Sequence, residues 1–146
     1  MNYDEFIKDF SNDLKGVKFE SIDNLTNDNL NRQENFGFPG IYILCDGDEV
    51  VYVGSAYARN IHDRLLQYTH DPKTDSGNTL VKDIMDIKEM SEHEAIEYIK
   101  TLKVYAFENI SLEYKMIAKL QEKGGMILNN AGTHKKEEGK SDEKQQ

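Results

Sequence analysis

Apolar side chains fall into short runs along this chain, and their spacing changes several times between helical and strand-like. Phe6, Ile7, Phe10 and Leu14 recur at helical intervals, which predicts an amphipathic helix over residues 3–14. Residues 26–35 are dense in Asn and Asp and read as loop. β-branched and aromatic runs at 40–45 and 49–53 flank Asp46-Gly47-Asp48, the pattern of a hairpin. Residues 59–68 predict a helix stopped before Pro72. A second helix over 78–88 sets Leu80, Val81, Ile84 and Ile87 on one face. Ser91-Glu92-His93-Glu94 has the form of a capping box and opens another helical stretch. Residues 102–107 predict a third strand, and residues 111–123 a last helix that Gly124-Gly125 would end. The order is strand, strand, helix, helix, strand, helix, an α+β arrangement.

Two end segments stand apart from this pattern. Residues 1–36 form a leader of helix and loop ahead of a core spanning 37–134. Residues 135–146 alternate Lys with Glu and Asp, hold no large apolar residue, and predict a disordered, solvated tail. With 146 residues the chain has the length of one modest domain. No apolar run approaches the length of a membrane span, and the first residues lack the pattern of a signal peptide. The single cysteine, Cys45, has no internal partner for a disulfide. A cytoplasmic location is expected.

Charge bears on the choice of partner. The net charge is −9: residues 1–35 carry −4, 36–70 carry −2, 71–110 carry −4, 111–134 carry +1, and the tail is neutral. No segment is a basic block. Binding to nucleic acid relies on Lys and Arg displacing counterions from phosphates. Such binding would here require cations gathered on one face of the fold, or a second subunit or partner protein to supply the grip.

Three segments and two single residues carry candidate chemistry. They are Gly40-Ile41-Tyr42, Tyr52-Val53-Gly54, Arg64-Leu65-Leu66-Gln67-Tyr68, then Glu113 on the last helix and Asn129 after Leu128. Their order and spacing over some ninety residues resemble the GIY-YIG nuclease domain. That resemblance implies a small α+β fold with a three-stranded antiparallel sheet flanked by helices. It also implies a metal-dependent endonuclease acting on DNA, chiefly double-stranded, with Mg²⁺ or Mn²⁺. Arg64 lies twelve residues after Tyr52, one or two more than the family's usual gap, which leaves Arg59 as the alternative. The proline common upstream of the family's Leu-Asn is absent, and Asn130 is the alternative to Asn129.

By this resemblance Tyr42 is the candidate general base, and Tyr52 would orient water or phosphate. A phenol with a pKa near 10 is a poor base at neutral pH unless a nearby charge favours the phenolate. Both tyrosines must then face the same side of the hairpin. A two-residue turn at Asp46-Gly47 would turn them apart, whereas an odd loop or a bulge would align them. The odd loop Asp46-Gly47-Asp48 is the expectation. The plainer reading of both is half-buried strand aromatics.

Arg64 has the planar fork that suits non-bridging phosphate oxygens. Tyr68, one helical turn on, shares its face and completes the pocket. His62 and His70 fall off that spacing and read as surface residues. Glu113 shares a helix face with Ile117 and Leu120. A carboxylate on an inward stripe is costly unless paired or metal-bound, so Glu113 is the candidate ligand for Mg²⁺; a stripe-edge Glu reaching solvent or pairing with a lysine is the alternative. Ser55 reads as a local cap or a phosphate contact. A catalytically silent binding module on the same scaffold is the competing function, and an acidic DNA mimic a weaker third.

Overall fold

The fold is described here from a computed structural model covering residues 1–32, 36–69 and 79–123. Helix α1 (Tyr3–Lys8) is capped by Asn2, whose side chain accepts from the backbone of Asp4 and Glu5. The predicted helix over 3–14 stops early: Phe10 and Ser11 bond back three residues, to Ile7 and Lys8, so turns carry the chain to Gly16. Phe6 and Phe10 are nonetheless buried as the spacing required.

Four strands, not the three expected, make one antiparallel sheet in the order β1-β4-β2-β3. These are β1 (Phe19–Ile22), β2 (Gly40–Asp46), β3 (Glu49–Ala56) and β4 (Lys103–Glu108). The extra strand comes from the leader. It pairs with β4, Phe19 opposite Phe107 and Ile22 opposite Val104. Only Ile22 among its four residues is buried, so its apolar pattern is too weak to read in sequence. The Asn- and Asp-rich stretch expected as loop contains α2 (Asn27–Arg32). Thr26 Oγ1 accepts from Asn29 N at 3.2 Å, and Leu30 is fully buried, so one cap and one core contact hold a helix of poor propensity.

The hairpin turns on Gly47-Asp48, between Asp46 and Glu49, rather than on the three-residue loop. Gly47 takes the left-handed conformation (φ 62°) that a tight hairpin favours at its first turn position. Helices α3 (Ile61–Thr69), α4 (Thr79–Lys88) and α5 (Glu92–Ile99) follow, the last with the predicted capping box at Ser91 and Glu94. Leu80, Val81 and Ile84 of α4 are buried, whereas Ile87 stays exposed. Helix α6 (Glu113–Lys123) ends the described chain. Its expected Gly124-Gly125 stop, the tail, His70, Pro72, Asn129 and Asn130 lie outside the described residues.

Strand β2 is central, and side chains on both its faces are buried. On one face Tyr42 and Leu44 join Leu65 and Tyr68 of α3, Ile84 of α4 and Ile99 of α5. On the other, Ile41, Ile43 and Cys45 meet Phe6 and Phe10 from the N-terminal segment and Met116 and Leu120 of α6. The sheet is thus a middle layer between two apolar layers. Among the described residues no helix is long and apolar enough to cross a membrane.

Candidate active site

The tyrosines come together through a bulge. Tyr42 lies opposite Gly54 and Leu44 opposite Tyr52, but Cys45 lies opposite Val50, which leaves Val51 as an extra residue on β3. One inserted residue restores the common face that the two-residue turn would have broken, so the expected odd loop is replaced by a bulge. Tyr42 and Tyr52 rings lie 6.3 Å apart between centroids.

Gly54 explains itself at this point. A Cβ there would sit 2.5 Å from Cζ and Oη of Tyr42, so only glycine lets the ring cross the neighbouring strand. Gly40 answers to a similar constraint, since its Cβ would meet the Phe107 carbonyl oxygen at 2.0 Å. Both motif glycines are close-approach positions.

Tyr68 of α3 closes the group. Its ring stands 6.3 Å from Tyr42 and 6.4 Å, edge-on, from Tyr52. The Tyr42 and Tyr68 hydroxyls bond to one another, and both side chains are buried. Burial is the main reason that all three phenols hold their protons above the ordinary range. Tyr52 adds to the rise in Tyr42, Tyr68 to that in Tyr52 and Tyr42 to that in Tyr68, and Arg64 opposes all three.

Arg64 of α3 lies beside the tyrosine cluster. Its guanidinium carbon lies 5.7 Å from the Tyr68 ring centroid, and Nη1 donates to Gln67 Oε1 at 3.1 Å. Partial burial works against the charge, but the phenols of Tyr68 and Tyr42 outweigh it and keep the group protonated. Its Nε is buried and has no hydrogen-bond partner among the described residues. A donor so placed is a cost unless something fills the space beside it.

Glu113 occupies the first turn of α6, where a carboxylate suits the helix dipole. It does not lie on an inward stripe: Leu112, Met116 and Leu120 are buried, whereas Glu113 is half-buried at the margin. Nor does it pair with lysine. Ser55 Oγ donates to Glu113 Oε1 at 2.8 Å, a role that spacing in sequence did not reveal because fifty-eight residues separate the two. Ser55 faces away from the tyrosines on β3, so the carboxylate approaches the sheet edge from the side opposite α3. Its charge still reaches Tyr52.

An open depression of about 210 Å³ at the end of β3 joins the two sides, lined by Ser55, Ala56, Tyr57, Ala58, Arg59 and Arg64. Arg59 adds a second, exposed guanidinium. Tyr57, which sequence reading passed over, ties this loop to the segment before α6 by donating to the Ile110 carbonyl. His62 is not simply a surface residue, since its Nε2 lies 2.9 Å from the Leu30 carbonyl oxygen.

As a metal site the residues suit only a hydrated ion. Among the described residues no three His, Cys, Asp or Glu side chains gather as a ligand set. Glu113 has one oxygen engaged by Ser55 and the other with no hydrogen bond to a described residue, which suits a Mg²⁺ that keeps most of its waters.

No family model matches this chain, and no curated protein sequence does. Among solved structures it is similar to a mutant of bacteriophage T4 EndoII, at 13% identity and a TM-score of 0.40, over 82% of this chain and 95% of that one.

Proposed function

We propose that this chain is a metal-dependent endonuclease that hydrolyses phosphodiester bonds of double-stranded DNA at the end of β3. The observation that carries the reading is one open depression lined by Arg59, Arg64 and Ser55, with Arg64 packed on the ring of Tyr68 in the tyrosine cluster and Ser55 bonded to Glu113. The motif order, which resembles that of GIY-YIG nucleases, gives each residue its role.

Arg64 grips the scissile phosphate. Its Nη protons would donate to non-bridging oxygens, and charge growing on these in the transition state would strengthen the grip. Arg59 holds a flanking phosphate. Glu113, fixed by Ser55, would hold the Mg²⁺ or Mn²⁺. When bound, such an ion supplies Lewis-acid stabilisation of the leaving oxygen.

Tyr52, the least enclosed of the three phenols, orients the attacking water. Tyr42 and Tyr68 hold that ring in place through ring packing. The water oxygen forms the new bond to phosphorus as the bond to the leaving oxygen breaks. A phenol kept protonated by burial cannot take the water's proton until it ionises, so the proton acceptor becomes available only as pH rises.

A binding module without cleavage is the second reading, favoured by the net charge of −9 and by the sealed Tyr42 hydroxyl. Supercoiled plasmid in low salt with Mg²⁺ or Mn²⁺ separates the two. Metal-dependent nicking that disappears in Glu113→Ala supports the nuclease. Intact plasmid, single strands and branched DNA alike would leave the binding module.

A further inference from the structure

A second depression, of about 370 Å³, lies beside the first and is lined by Asn31, Gly37, Asn60 and His62. We infer that it is a base-reading subsite, which takes the edge of an adenine in the DNA strand whose phosphate Arg59 and Arg64 hold. The inference rests on the nuclease reading for the identity of the strand. It rests on this depression alone for the chemistry of recognition.

The two depressions are lined by residues that neighbour one another in sequence. Arg59 lines the first and Asn60 the second, and adjacent Cα atoms are about 3.8 Å apart. Phosphates of one strand recur about every 3.4 Å along the duplex axis. A nucleotide whose phosphate lies at Arg59 therefore places a neighbouring base within reach of Asn60.

The linings differ in kind. The first holds two guanidinium groups and suits an anion. Among the described residues the second holds two carboxamides, an imidazole and a bare backbone position. Its size is in the range of small-ligand sites, and carboxamides beside an imidazole suit a polar ligand such as a base edge.

The hydrogen-bonding capacity is asymmetric. Asn60 Oδ1 accepts from Asp63 N at 2.8 Å, which caps α3 and leaves the Nδ2 donors available. His62 Nε2 is the nitrogen that meets the Leu30 carbonyl, so that nitrogen carries the hydrogen and Nδ1 is the acceptor, with the Asp63 carboxylate 3.8 Å from it. Asn31, on the last turn of α2, is exposed and presents its side-chain amide to the depression. A carboxamide presents a donor and an acceptor side by side, the pattern that adenine N6 and N7 complement.

Two measurements on the full-length protein test this. The first follows the side-chain amide resonances of Asn31 and Asn60 in nitrogen-labelled protein. Short duplexes rich in adenine, and matched duplexes rich in guanine, are added with metal removed by chelator. The second maps cleavage positions on a randomised duplex in Mg²⁺ for wild type, Asn31→Ala and Asn60→Ser, the last of which keeps a capping oxygen. The expected result is a shift of both amides with the adenine duplex, weaker with guanine. Cleavage should favour adenine at one fixed offset, with that preference falling roughly tenfold in either variant.

Shifts around Arg59 and Arg64 with silent Asn31 and Asn60 amides would overturn the subsite and leave the nuclease standing. Amide shifts with the expected base preference, but no cleavage by any metal, would keep the subsite and remove the nuclease. Equal responses to both duplexes, or none, would overturn the inference. Should Asn60→Ser fail to fold, the exposed Asn31→Ala carries both readouts by itself.

Discussion

At the scale of single residues, the decisive fact is that this site gathers phenols where they cannot ionise at neutral pH. Burial raises Tyr42, Tyr52 and Tyr68 above the ordinary phenol value. If the ionised phenol of Tyr42 takes the water's proton, cleavage should climb about tenfold per pH unit from pH 7 to 9 with no plateau, and Tyr42→Phe should flatten the profile, whereas Tyr52→Phe should lower the rate at every pH. A plateau near pH 7 would assign the proton to another group. Stability has the opposite sign. A phenol whose pKa is raised by folding stabilises fully below its unfolded value near 10, and that contribution is lost as pH rises through the folded value. Thermal unfolding should therefore be flat across neutral pH and fall above about pH 10. Arg64→Ala should cost roughly 100- to 1000-fold in cleavage rate, and Arg64→Lys should restore little, because an ammonium cannot replace the fork. Most of these residues were legible in sequence because the motif order resembles a known pattern. Ser55 was not, because its partner Glu113 is close only after α6 folds back against β3.

At the scale of elements, β3 is the part on which the site depends. Its bulge at Val51 and its glycine at position 54 together set the direction of Tyr52 and the room for Tyr42. Deleting Val51 should leave a regular hairpin in which Tyr52 still lies opposite Leu44 and keeps the face of Tyr42, so cleavage should persist in a nicking assay while the kink of the bulge is lost. Gly54→Ala places a methyl group into the Tyr42 ring and should cost about 1–3 kcal/mol of stability by chemical denaturation. The capping box of α5 offers a control away from the site: Ser91→Ala should cost about 1 kcal/mol and leave any cleavage unchanged. Helices with full amphipathic stripes, such as α4 and α6, were readable from spacing. The short β1 and α2 were not, because one buried residue anchors each, helped by pairing with β4 in the first and by the Thr26 cap in the second, and such contacts leave no period in the sequence.

At the scale of the whole molecule, the N-terminal segment is built into the fold. Strand β1 completes the sheet against β4, Phe6 and Phe10 fill the layer shared with α6, and Val50 N donates to the Met1 carbonyl on the outer side of β3. Removing residues 1–22 should expose β4 and that apolar layer and yield an aggregating chain, measurable by sedimentation. The same architecture answers the problem of net charge in part. Two guanidinium groups stand together at one sheet edge although the sequence holds no basic block. If these two make the phosphate contacts, the logarithm of DNA affinity should fall with the logarithm of salt at a slope of about −2. A much steeper slope would mean that other cations take part.

The sequence by itself determined the helix and strand periods, the hairpin, the capping box, and the identity of the residues that resemble a nuclease site. Each depends on neighbours within a few positions or on the order of motifs. Tertiary structure alone decided which side of the sheet each residue serves. It replaced the odd loop by a bulge, moved Glu113 from an inward stripe to a half-buried edge, and gave that carboxylate to Ser55. It also set Asn31 beside Asn60. The reason is physical: a period records which face of an element is buried, whereas contact between faces of distant elements is settled by packing, which leaves no local trace.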